Sequence, residues 1–280
     1  MIHWFTEAFA PDFMQRALLA GLAAGATCAV VGTWVVARGL SFLGDALAHG
    51  VLPGLALATL WGFSPTIGAL LAALVMSGAV SLLGRRANVR DDTGVGLLFV
   101  GMLALGVIII SKSDRFSTDV TALLFGEILG VTWGDLRGQA VASALVITAS
   151  IVLYRPFLAL AFNRDKAATL GLRPTLAHVA LLALLSVSIV ASFRAVGTLL
   201  VFGLLIAPAA AAGLVVRRVP LIMLTAVGIA ALAVVLGLAI SFHAGTAGGA
   251  TIAGLAVAMF FAILLAQELL AAGRRLRRTA

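Results

Sequence analysis

Ser41-Phe42-Leu43-Gly44-Asp45-Ala46-Leu47-Ala48-His49-Gly50-Val51-Leu52-Pro53-Gly54 is apolar through most of its length, yet it carries an acid and an imidazole four residues apart. On a helix, positions i and i+4 share one face, one turn apart. An Asp and a His presented together can ligate a divalent metal. Pro53 has no backbone N–H, so a helix running through it leaves the His49 carbonyl without its usual partner. The stretch therefore predicts an acid, an imidazole and a freed carbonyl at one level. Inside a membrane such groups are costly and mark a functional site by default.

The surroundings of this stretch decide the fold class. The chain has 280 residues, of which 62% are hydrophobic and 11% charged, with a mean hydropathy of +1.16. A soluble domain carries about 25% charged residues. Runs near the ~20 residues that span a bilayer lie at 16–37, 39–61, 64–84, 94–111, 134–154, 175–193, 196–214, 220–241 and 248–268. The expectation is an all-α, polytopic helical membrane protein with eight to nine transmembrane helices, forming a single domain over 1–280. Val120 to Val131 is too short to span and reads as interfacial or re-entrant. The runs 39–61 and 196–214 both contain Pro and Gly, and either is a candidate for a broken span. Pro208 is expected to kink the second of them and to free the Leu204 carbonyl. The first run follows Glu7, Asp12 and Arg16 and lacks a basic leader, so it reads as a span rather than a cleavable signal.

The net charge of +8 does not require a nucleic-acid partner, because the basic residues flank apolar runs. Of the 19 Lys and Arg, all but Arg16, Lys112, Arg115, Arg137 and Arg194 fall on one side of the predicted spans. That side is cytoplasmic by the positive-inside rule, which puts the N-terminus outside and the C-terminus inside. Cys28 is the single cysteine, so an internal disulfide and a thiolate metal cluster are both excluded.

A helix starting just after Arg38 puts His49 roughly 15 Å deep, about half of a ~30 Å hydrocarbon core. Asp45 then lies one turn nearer the cytoplasm. Each residue alone has a plainer reading: Asp45 as a helix cap, His49 as a packing histidine. Their pairing ahead of Pro53 favours a metal site. Glu127 is either an interfacial acid or a cation-attracting entrance. His243 is either an interfacial residue or a contact for an arriving metal, and His178 receives no role. Asp91 and Asp92 read as a helix start. Gly106 to Ser113 approaches a phosphate-binding pattern but lacks its second Gly and ends an apolar span, so the chain has no recognisable ATP site. The connection 162–174 has a first part able to form a short helix, ended by Gly171 and Pro174. It serves either as a plain linker or as a helix for a partner's groove.

These segments resemble the integral membrane permeases of ATP-binding-cassette importers for zinc, manganese and iron. The resemblance covers nearly the whole chain. It rests on Ser41–Gly54; on Asp92-Thr93-Gly94 leading into Gly101-Met102-Leu103-Ala104-Leu105-Gly106; on Leu123-Leu124-Phe125-Gly126 leading to Trp133-Gly134-Asp135-Leu136; and on Val196–Pro208. Lys166, Ala167, Ala168, Leu170 and Gly171 lie in a stretch similar to the region that contacts the ATPase, with Lys where the familiar Glu-Ala-Ala pattern has Glu. The resemblance implies a homodimer of permease chains and two cytoplasmic ATPase subunits that hold the ATP. It further implies an extracytoplasmic metal-binding protein and a place in the bacterial plasma (inner) membrane. Asp45 and His49 match residues associated with metal in the pathway. The cargo implied is zinc, with manganese close behind, and no cofactor is bound by this chain. A proton-coupled secondary metal transporter would use the same pair. An intramembrane enzyme would need a nucleophile that the sequence does not supply.

Overall fold

The computed structural model describes residues 2–86, 91–112, 128–162 and 171–279, and all regular structure among them is helical. Lys166, Ala167, Ala168, Leu170 and Glu127 lie outside these residues. In chain order the helices are α1 (Ile2–Phe9), α2 (Asp12–Ala37), α3 (Ser41–Gly50), α4 (Leu52–Trp61), α5 (Pro65–Arg86) and α6 (Asp91–Ser111). A 3-10 turn at Ile128–Gly130 follows, then α7 (Trp133–Val152), α8 (Tyr154–Phe162), α9 (Pro174–Val196), α10 (Thr198–Val215), α11 (Val219–Ala244) and α12 (Gly248–Thr279). Eight spans among the described residues are long and apolar enough to cross a membrane, counting α3 and α4 as one, and α10 adds a shorter apolar helix. This is the polytopic helical bundle that the apolar runs predict.

Local chemistry sets the boundaries. Gly39, at φ 67°, ends α2. There the Gly39 N–H donates to Val36 and the Leu40 N–H to Val35, the paired bonds of a Schellman turn. Thr132 and Asp135 form a reciprocal capping box at the start of α7. Pro174 and Pro220 stand in the first turns of α9 and α11, where a missing N–H costs nothing. α6 starts at Asp91, as the paired aspartates predict.

α2 is the hub. It packs on α7, α9, α10 and α11, and 67% of its apolar window is buried. Trp34 sits fully buried near its C-terminal end, edge-on to Tyr154 and Phe157. Glycine lets the backbones meet: a Cβ on Gly32 would collide with the Leu205 carbonyl of α10, and Gly54 and Gly68 press backbone to backbone. α6 lies at the periphery, with only 17% of its window buried. Leu97, Val100, Val107 and Ile108 face outward from it, as lipid-facing residues do.

Candidate metal site

The span holding Asp45 and His49 is interrupted at Val51, between α3 and α4. The interruption is slight, because Val51 keeps near-helical angles of φ −77° and ψ −15°. Its N–H turns to the His49 carbonyl. That N–H comes from only two residues on, too near along a helical backbone for a linear hydrogen bond, so with Pro53 in the i+4 position the His49 carbonyl lacks its usual helical donor.

α3 brings Asp45 and His49 together on one face, with His49 Nε2 3.6 Å from Asp45 Oδ1. This is too long for a hydrogen bond. It is close to the ~3.4 Å that separates two donors each ~2.1 Å from one tetrahedral ion. The side chains are half-buried, at 33% and 29% exposure, so the pair is open on one side. Phe99 of α6 stacks edge-on against His49 with ring centroids 5.9 Å apart, and meets Phe42 at 6.1 Å. An aromatic wall of this kind fixes the imidazole plane while offering no competing donor. Gly44 packs against Leu205, which seats the back of α3 on α10.

Among the described residues no three His, Cys, Asp or Glu side chains gather into one metal-holding group. Asp45 and His49 thus supply two donors, and further donors must come from elsewhere. His243, next to Phe242 at the end of α11, joins no such group. Gly171 adopts φ 70°, left-handed backbone that favours glycine.

Two features escape sequence reading. Arg38 Nη1 lies 2.8 Å from His178 Nδ1, across 140 residues of chain. This ties the turn preceding α3 to the first turns of α9, so His178 has a partner that its sequence context does not indicate. The other feature is a buried polar chain at the opposite end of the bundle. Thr27 and Ser143 hydroxyls meet at 2.7 Å, the Gln139 amide donates to Ser143 and Ser192, and Cys28 reaches Ser192. It borders a cavity of about 310 Å³ walled by α5, α7 and α9.

The chain matches the family described as "ABC 3 transport family" over residues 10–267. It is 34% identical to the "Chelated iron transport system membrane protein YfeD" of Yersinia pestis, over 93% of this chain and 87% of that one. It is 36% identical to the "Manganese import system permease protein ScaB" of Streptococcus parasanguinis, over 90% of this chain and 89% of that one. A solved structure described as "PsaBC from Streptococcus pneumoniae in complex with Fab" superposes with a TM-score of 0.83 at 30% identity, covering 94% of this chain and 95% of that one.

Proposed function

The chain belongs to the ABC 3 transport family, and on that premise we propose that it is the membrane-spanning subunit through which an ATP-driven importer passes a divalent transition metal. Membership makes it a multi-span transport component of the bacterial plasma membrane, working with ATPase and substrate-binding partners rather than as an enzyme itself. The observation that carries the reading is the Asp45–His49 pair, held 3.6 Å apart without a hydrogen bond at an interrupted span. An interrupted helix near mid-depth is where transport proteins expose backbone and side-chain ligands.

Two donors hold an ion loosely, as a passing cargo requires. A second copy of the chain, facing the first across a two-fold axis, would add another Asp45 and His49 and complete four donors. We therefore favour the homodimer. ATP would be held by two cytoplasmic partner chains that act on the 162–174 connection through Lys166 to Gly171, and an extracytoplasmic carrier would deliver the metal. Asp plus His suits manganese, ferrous iron and zinc alike. The names of the relatives above carry manganese and iron, which moves these two ahead of zinc as the proposed cargo.

Uptake of radiolabelled manganese, iron and zinc, in cells lacking other importers and co-expressing the partner chains, tests the reading. Wild-type uptake should need ATP and the ATPase. Asp45→Asn and His49→Ala should each abolish most of it while leaving the amount of assembled complex intact. Near-normal uptake by both variants would remove the site. Uptake by the purified chain alone, driven by a proton gradient, would replace the ATP-driven scheme with a proton-coupled transporter.

A further inference from the structure

A cleft of about 680 Å³ opens between α2, α7, α8 and α11, away from the metal pair. Its deep wall is apolar: Val30 from α2, Ile147 from α7, Met223 and Leu224 from α11. Its other end is polar, with Tyr154 and Arg155 at the α7–α8 junction. From Ile147 to Tyr154 the helix climbs about 10 Å, so the cleft descends that far into the hydrocarbon from the level where α7 ends. That level is the cytoplasmic boundary of the membrane, by the distribution of Lys and Arg along the chain.

Ser150 lies on the wall between these two ends. It is 2% exposed, and its hydroxyl has no hydrogen-bond partner among the described residues. This is unlike the other buried helical hydroxyls. Thr27, Thr33, Ser186 and Ser188 each donate to the carbonyl four residues earlier, the usual recourse of such a group in a helix. Ser150 instead keeps an unengaged hydroxyl covered just behind the cleft wall, among otherwise hydrocarbon surroundings. Tyr154, one turn on, is fixed by its edge contact with Trp34 at 5.5 Å. Arg155 is exposed. Arg217 and Arg218, also exposed, immediately precede the α11 start that forms the opposite rim.

We propose that this cleft is a binding site for one anionic glycerophospholipid of the cytoplasmic leaflet. An acyl chain fills the apolar part, and the phosphate meets Arg155 at the rim. Each part of the lipid finds its chemical complement at the matching depth. Basic pockets between membrane helices on the cytoplasmic side suit anionic headgroups for this reason. A neutral lipid has the same chains and esters but no net charge for the rim, so it binds less tightly.

Native mass spectrometry of the full chain in detergent tests this, with phosphatidylglycerol, phosphatidylcholine and water-soluble glycerol 3-phosphate as probes. One phosphatidylglycerol per chain should survive activation that strips phosphatidylcholine. Arg155→Gln, a change at an exposed position, should lower phosphatidylglycerol affinity about fivefold or more, to the level of phosphatidylcholine. Leu224→Trp, at an exposed lining position, fills the cleft and should displace both lipids. Equal retention of the two lipids by the wild type, or unchanged retention by Arg155→Gln, overturns the proposal. So does competition by glycerol 3-phosphate at lipid concentrations, which would assign the rim to a free phosphate ester. A Leu224→Cys chain that cross-links to a second copy in membranes would make the cleft a chain–chain interface, and likewise overturns it.

Discussion

Two spans carry a proline well inside their length, the 41–61 span and α10, and the fold treats them in opposite ways. It interrupts the first at Val51 and runs the second unbroken through Pro208. Pro53 stands in the first turn of α4, where the N–H it lacks would have had no helical partner. Pro208 stands in mid-helix, but Leu204 and Leu205 before it and Ala211 and Ala212 after it are fully buried. Packing against α2, α11 and α12 grips α10 on both sides of the proline. A proline thus marks where a hydrogen bond is missing, and the neighbours decide whether the helix stops. The chemistry divides the same way. The interrupted span presents Asp45 and His49 on a half-open face, whereas α10 contains no ionisable residue.

That contrast has measurable consequences. The largest is a separation of transport from stability. Asp45→Asn or His49→Ala should cut metal uptake about tenfold or more, since even outer partners of metal ligands are worth that much, with little change in thermal melting. Leu204→Ala in α10 should do the reverse, costing about 2–5 kcal/mol of stability while uptake per folded molecule holds. If Asp45→Asn melts the protein as severely as Leu204→Ala, the division fails. Next comes the seat of α10 on the hub. Gly32→Val forces a side chain into the Leu205 carbonyl and should cost about 1–3 kcal/mol. Gly213→Ala, where an added Cβ meets nothing within 4 Å, should be neutral in the same detergent melt.

A smaller effect sharpens the proline argument. Pro208→Ala returns a donor to the Leu204 carbonyl and should stabilise by about 1 kcal/mol, whereas Pro53→Ala at a helix start should leave melting unchanged. Equal shifts would mean that the two prolines are not distinguished by position. The smallest concerns the anchor before α3. Arg38→Gln and His178→Leu, made singly and together, should show a coupling of about 1 kcal/mol or less. Strict additivity would mean that the 2.8 Å contact contributes nothing.

The bundle was legible because a bilayer imposes a length. About 20 apolar residues announce a span, and each of the nine runs has a helical counterpart. The boundaries were less so. Hydropathy ends a run at 154 but does not announce α8, which begins there and carries Pro156 inside its first turn. α1, with eight residues, is too short to register as a span. At the candidate site, the pairing of Asp45 with His49 follows from spacing alone, since one helical turn joins them. The aromatic wall does not: Phe99 is 50 residues away in sequence and reaches His49 only through the packing of α3 on α6. The Arg38–His178 contact was invisible for the same reason, because nothing local to either residue encodes the other.

The position of Cys28 has a practical consequence for spectroscopy. Its thiol is fully buried between α2 and α9 and points at Ser192 3.8 Å away, out of reach of aqueous maleimides. The unaltered chain is therefore its own blank. A spin label or fluorophore attached to a cysteine introduced at exposed Ala247, in the loop between α11 and α12, would report from that one place without first replacing a residue of the packed interior.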